Sequence, residues 1–235
     1  MLTPSTGAKN SPSGLLAELS RRSVRESLLS YAGATDPATR RTWGGVLMDG
    51  GRLDLSLATG PLTWYGYGEL HRLIGYQVAD NVRVAGGGGV DLELYKGAFG
   101  SLFAGPTLAL AGYDRNLRFF TLGHGGYFSP QRFVHAGFAA KWWGGERFRW
   151  ELVAEPGYDA FNEAAAPAFP LSSDQRGVGQ YPGQSSGGPS FNGHGLIGWR
   201  VTNAFEAGFS VSAQRAPEFQ ELSGSIVLRF GGAAR

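Results

Sequence analysis

Arg147-Phe148-Arg149-Trp150-Glu151-Leu152 sets a charged and a large apolar side chain in turn at every step. A period of two is the mark of a β-strand whose two faces meet different surroundings. The neighbours of Phe148, Trp150 and Leu152 must be apolar, and those of Arg149 and Glu151 must be wet or ionic. The pattern recurs in Arg52-Leu53-Asp54-Leu55-Ser56-Leu57 and in Val90-Asp91-Leu92-Glu93-Leu94-Tyr95. It recurs again around Ile197-Gly198-Trp199-Arg200, Phe205-Glu206 and Ile226-Val227-Leu228-Arg229. One face gathers Leu53, Leu55, Leu57, Val90, Leu92, Leu94, Phe148, Trp150, Leu152, Ile197, Trp199, Phe209, Val211, Ile226 and Leu228. The other gathers Arg52, Asp54, Asp91, Glu93, Arg149, Glu151, Arg200 and Glu206. A charged side chain on a lipid face costs about 2–4 kcal/mol. The apolar set is therefore expected on lipid, and the ionic set is expected to line a hydrated lumen.

Ten strands of about 10–15 residues are expected, longer than the ~5–6 of ordinary sheets and long enough to cross a bilayer when tilted. They cover about 15–30, 43–57, 62–73, 82–95, 99–112, 133–143, 147–158, 189–201, 204–214 and 219–230. The connections alternate. Those at 31–42, 113–132 and 159–188 are long, 74–81 is of intermediate length, and those at 58–61, 96–98, 144–146 and 202–203 are short; 215–218 is moderate. That asymmetry belongs to an all-β, antiparallel, up-and-down transmembrane β-barrel, assigned to residues 14–230. Residues 1–13 are expected to be a disordered segment and 231–235 a tail. The first residues lack the apolar core of a secretory signal, so the chain reads as a piece of a larger protein or as a mis-started reading frame.

Composition supports this reading. Among 235 residues there are 38 Gly, 15 Phe, 9 Tyr and 6 Trp, a mixture suited to close-set strands, tight turns and aromatic girdles. A net charge of +2 offers no concentrated basic stripe for nucleic acid. There is no cysteine for a disulfide or a thiolate site. His71, His124, His135 and His194 share no ligand spacing, so no metal is expected. Gly86-Gly87-Gly88-Gly89 lacks a following Lys-Ser/Thr and lies within a strand, where it permits close strand approach. Asp91 and Glu93 sit among basic residues, which makes them lumen ion pairs rather than a glycosidase dyad. No Gly-x-Ser-x-Gly turn occurs. No cofactor and no catalytic residue are expected.

The loop from Tyr113 to Arg132 is at once aromatic, cationic and glycine-rich. Sugar chains stack on aromatic rings and hydrogen-bond to Asp, Asn and Arg. Tyr113, Asp114, Arg115, Phe119, His124, Tyr127 and Phe128 are thus candidates for polysaccharide contact at a pore mouth, and Phe120, Trp64, Tyr65 and Tyr67 carry similar chemistry.

Tyr113-Asp114-Arg115-Asn116-Leu117 and Gly123-His124-Gly125-Gly126-Tyr127-Phe128-Ser129-Pro130-Gln131 resemble the C-terminal barrel of the bacterial cellulose synthase operon protein C family. So do Ser20-Arg21-Arg22, Ser27-Leu28-Leu29-Ser30-Tyr31-Ala32-Gly33 with Asp36-Pro37, and Val78-Ala79-Asp80-Asn81. Gly183-Gln184-Ser185-Ser186-Gly187-Gly188-Pro189 and Arg215-Ala216-Pro217-Glu218 complete the match, from about Gly14 to Phe230. The resemblance implies a bacterial outer-membrane pore, set in lipid, for export of cellulose or a related β-1,4-glucan. It also implies a periplasmic helical-repeat scaffold upstream and a cellulose synthase in the inner membrane. The family's barrel is larger than ten strands, so this chain is expected to be its C-terminal part and to form an open, curved sheet by itself. The rival expectations are an outer-membrane barrel enzyme acting on glycan or lipid, for which His124 and Ser129 are the test residues, and a soluble β-sandwich adhesin.

Overall fold

The computed structural model describes residues 13–37, 39–171, 179–202 and 204–230. The expected N-terminal segment, save Ser13, and the expected tail lie outside these residues. The elements in order are β1 (Gly14–Ser23), α1 (Leu28–Ala32), β2 (Ala34–Thr35), β3 (Thr42–Thr59), β4 (Leu62–Tyr76), β5 (Asn81–Gly97) and β6 (Gly100–Tyr113). They continue as β7 (Arg132–Gly144), β8 (Phe148–Glu163), β9 (Ala166–Pro167), β10 (Gln180–Tyr181), β11 (Gln184–Thr202), β12 (Phe205–Ala216) and β13 (Phe219–Phe230).

Ten long strands form one antiparallel sheet in the order β1-β3-β4-β5-β6-β7-β8-β11-β12-β13, and the short β2 pairs with β3. This is the up-and-down order the alternating connections predict. A sandwich would need two packed sheets, so the adhesin expectation does not hold. Among the described residues no ladder joins β1 to β13, and the sheet has two free edges.

Two expectations change. Strand one ends at Ser23 rather than Ser30. Ser27 caps α1, receiving the Ser30 backbone N–H on its hydroxyl while the Ser30 hydroxyl receives the Ser27 N–H. This reciprocal cap satisfies donors that a strand would have had to pair elsewhere. The loop expected at 159–188 shrinks to 164–183, because β8 and β11 each run five residues further and pair Glu163 with Gln184 through Asp159 with Gly188. Polar cross-strand bonds hold this extension: Asn162 donates to Ser185 Oγ at 2.8 Å, and Gln184 donates to Glu163 Oε2 at 2.7 Å. It therefore lacks the apolar alternation by which a strand is read.

The ladders divide the strand residues into two faces. Leu53, Leu55, Leu57, Leu70, Val84, Leu92, Leu108, Leu110, Phe138, Leu152, Ile197, Trp199, Phe209, Ile226 and Leu228 share one face, and all are exposed. Charged positions on that face are confined, among the described strand residues, to Arg21, Asp49, Arg72, Arg132 and Arg215, all near the end with the long connections. The other face carries Arg52, Glu69, Arg83, Asp91, His135, Lys141, Glu155 and Asp159, all buried or half-buried. Burial is thus the reverse of a water-soluble sheet. Side chains from strands that are not neighbours meet over the polar face, such as Lys141 of β7 with Asp91 of β5 and Thr107 of β6 with Glu155 of β8. The polar face is accordingly the concave one.

The tetraglycine stretch lies in β5. Tyr65 pairs with Gly89 and Tyr67 with Gly87 across the β4–β5 ladder. A Cβ on Gly89 would meet the Tyr65 hydroxyl at 2.5 Å, and one on Gly87 would meet the Tyr67 ring at 2.9 Å. The glycines give the two rings room to lie across β5.

Among the described residues, a hydrophobic core of ordinary polarity forms at the long-connection end. Val24, Leu29, Trp43, Val46, Met48, Leu73, Val78, Ala79, Leu117 and Tyr127 pack together there, with Tyr113 and Leu122 against them.

Candidate functional site

The connection 114–131 folds into a hub, and four other stretches of the family resemblance reach it, through Leu29, Ala79 and Asn81, Gln184 and Glu218. Asn81 is the central polar residue. Its amide nitrogen donates to Arg115 O at 2.9 Å and to the Tyr127 hydroxyl at 3.1 Å, and its oxygen receives the Arg115 N–H at 3.0 Å. Ser129 Oγ receives the Leu117 N–H at 2.7 Å. Gly125 and Gly126 both donate to Leu117 O at 3.0 Å. Gly126 has φ 68° and lies against Ser27 and Leu29 of the capped turn, so a side chain there would be strained and would collide. Ala79 N–H donates to Gly123 O at 2.9 Å. Arg118 pairs with Glu163 and reaches Glu218 at 3.5 Å; Gln184 bridges the same two carboxylates. The loop is thereby tied to the ends of β8 and β11 and to the β12–β13 turn.

The predicted contact residues divide. Asp114 and Arg115 are exposed at the surface, and Tyr113, Phe119 and Phe128 are partly covered. Phe119 stacks on Tyr181 with centroids 3.7 Å apart, and Phe128 meets Phe133 and Phe161 edge-on. His124 and Tyr127 are 0% and 1% exposed. The expectation that their rings reach a polymer at the mouth does not hold in this arrangement, because both are spent on holding the hub together. His124 Nε2 donates to Pro167 O at 2.9 Å and its Nδ1 is buried without a partner. Burial pushes the His124 imidazole below its ordinary value and raises the Tyr127 phenol. Ser129 is also 0% exposed, and its hydroxyl bonds to backbone groups of Leu117 and Tyr127 rather than to His124. That arrangement offers no nucleophile–base pair for the barrel-enzyme expectation. Phe120, 66% exposed, is the large aromatic of this loop that faces outward.

The residues expected to line a lumen lie together on the concave face. Arg52 grips Asp54 and also pairs with Glu69, and Glu69 in turn pairs with Arg83. Lys141 Nζ is 2.7 Å from Asp91. Arg149 lies 3.6 Å from Glu151 and 4.0 Å from Glu206, which also receives Arg229 at 3.0 Å. Glu93 is half-buried beside a register shift in the β5–β6 ladder. Arg200 pairs with Glu206 in register, but it is exposed where the β11–β12 ladder slips.

Residues that sequence reading passed over complete this face. His135 Nδ1 lies 2.6 Å from Asp159 and its Nε2 3.4 Å from Glu155; Ser190 donates to Asp159 at 2.9 Å. Glu69, Arg83, His135, Glu155 and Asp159 all fall at alternate positions of their strands, and this parity was the available signal. Among the described residues no group of three or more His, Cys, Asp or Glu is arranged to hold a metal ion, and no helix is long and apolar enough to cross a membrane.

The family model described as "Cellulose synthase operon protein C C-terminus" matches residues 5–231. Curated relatives called cellulose synthase operon protein C include one from Xanthomonas axonopodis pv. citri, 35% identical over 91% of this chain and 16% of its own length. One from Pseudomonas fluorescens is 32% identical over 91% of this chain and 17% of its own length. One from Escherichia coli K12 is 27% identical over 94% of this chain and 20% of its own length. The chain therefore spans about a fifth or less of the length of these relatives.

Proposed function

The chain belongs to the family of cellulose synthase operon protein C C-termini, and from that premise we propose that it forms part of an outer-membrane β-barrel through which a β-1,4-glucan chain leaves the cell. The observation that carries this reading is the inverted sheet: exposed leucines and aromatics on the convex face, with ion pairs on the concave one. Only a hydrocarbon outside and water inside make both faces favourable. The two unpaired edges suit a sheet that is closed by strands from elsewhere in a longer protein, since a lipid-exposed edge leaves backbone groups unsatisfied.

The conduit has no catalytic role. Its ionic groups pair with one another, and its His and Ser residues in the hub make structural bonds. Movement of the polymer is driven by synthesis at the inner membrane, and a periplasmic helical-repeat scaffold connects the two. Asp114, Arg115, Phe119 and Phe120 present the groups that meet the glucan at the mouth, while the concave face offers it many weak polar contacts, as conduction requires. Deleting the segment that corresponds to residues 14–230, in cells whose synthase is intact, tests this reading. Surface staining by a cellulose dye should vanish while glucan accumulates in the periplasm. Unchanged surface cellulose would contradict it.

A further inference from the structure

Within the concave face two aromatic rings are held in a way that lumen ion pairs alone do not require. Tyr65 and Tyr67 stand two residues apart on β4 and lean over the glycines of β5. A cation covers each ring: Lys141 Nζ lies 4.4 Å from the Tyr65 centroid, and Arg52 Cζ lies 4.1 Å from that of Tyr67. Each cation is anchored from the side. Lys141 is held by Asp91 at 2.7 Å, and Arg52 by Asp54 and Glu69. The second oxygen of Asp91 is buried and has no hydrogen-bond partner. A neighbouring pair of rings, hydroxyls, carboxylates and an unused acceptor is the chemistry that recognises a pyranose: C–H faces on the rings, hydroxyls on the carboxylates.

We propose that Tyr65 and Tyr67 form a glucan-binding step inside the conduit, and that Lys141 and Arg52 act as lids on it. The inference rests on the export reading and deepens it. A passing sugar ring must displace the cation to reach the tyrosine. The ammonium remains on Asp91 and the guanidinium on Asp54 and Glu69, so neither charge is left unpaired. Because the incoming C–H face replaces a cation–π contact instead of filling an empty surface, the net gain is small. The step grips the polymer weakly enough to let it advance. The unpaired Asp91 oxygen accepts a sugar hydroxyl while the ring is covered by sugar.

The opposite signs expected for two substitutions test this. The intact protein is reconstituted in planar bilayers, and the current is interrupted by added cellohexaose. The double substitution Tyr65→Leu with Tyr67→Leu should shorten the blocked intervals about tenfold, the effect of losing aromatic contact. Lys141→Gln keeps a donor for Asp91 but removes the charge above Tyr65, and it should lengthen them by about threefold or more. Open-channel conductance in buffer guards against misfolding and should change little in either. Blocked intervals that ignore the tyrosines, or that shorten in Lys141→Gln, would overturn the proposal while leaving the conduit intact. A reconstituted protein that passes no current would overturn the conduit reading itself, and this step with it.

Discussion

The strands and the hub obey opposite rules of burial. Along β3, Leu53, Leu55 and Leu57 are exposed and Arg52 and Asp54 are turned inward. Earlier in the same strand, Val46 and Met48 are buried against Leu73 and Tyr127, as in any water-soluble core. Polarity does not change with secondary structure, since both regions belong to one strand. What changes is the filling of the concave side: the hub packs over Met48 and Leu73, whereas Arg52 and Asp54, on the same face further along, meet an ionic interior. The charged exterior residues Arg21, Asp49 and Arg72, opposed in the ladders, lie between the two regimes, and on the proposed membrane reading they mark where hydrocarbon gives way to water.

The comparison can be broken most forcefully in the hub. Tyr127→Ala removes a ring that is 1% exposed, and it should cost the hub about 3–5 kcal/mol. Amide exchange at Gly125 and Gly126, which donate to Leu117 O, should accelerate while the strand amides stay protected. Acceleration spread evenly over the sheet would deny the hub its independence.

Next comes the convex face. Leu108 lies mid-strand on β6 and is exposed. Leu108→Arg should cost about 2–4 kcal/mol in lipid, measured by reversible denaturant unfolding from vesicles. The same arginine placed at Ser210, on the concave face, should cost far less. Equal costs would remove the distinction between the faces.

Asn81→Leu should have a smaller effect, about 1–3 kcal/mol, because it strands the Tyr127 hydroxyl and the Arg115 backbone without partners. The hub's protection against exchange reports this as well, and a neutral outcome would mean that water replaces the amide.

Acidification should have the mildest effect. Burial holds His124 below the ordinary histidine value, so the hub favours the neutral ring. The stability this contributes is complete above about pH 6.5, the unfolded value, and is lost as pH falls from there toward the lowered folded value. Hub exchange should therefore quicken between pH 7.5 and pH 5 in the native protein and not in His124→Phe. A native hub that tightens on acidification would reverse the sign.

Much of the sheet is legible from alternation, because an exposed apolar face and a buried ionic one impose a period of two on each strand independently. The Arg147–Leu152 stretch needs no tertiary information. Where the faces are not contrasted, reading fails. Asp159–Glu163 and Gln184–Gly188 pair through amides, hydroxyls and carboxylates, and therefore look like loop. The Ser27–Ser30 cap hides in a stretch that also suits a strand. The hub is the least legible part. Tyr127 and His124 have the composition of a binding loop, and nothing local says that Asn81, 46 residues earlier, claims the tyrosine hydroxyl. His135, set aside for lack of a ligand spacing, owes its place to Asp159 and Glu155 on the next strand.

If one face of this sheet meets hydrocarbon and the other water, the two faces of one strand must differ in their access to a polar reagent. This chain has no cysteine, so single cysteines along β12 add the chain's one thiol and can be exposed, in membranes, to a thiol reagent that cannot cross lipid. Cysteines at Glu206, Gly208, Ser210 and Ser212 should react, and those at Ala207, Phe209, Val211 and Ala213 should be protected. Uniform reactivity along the strand, or the opposite phase, would contradict the account.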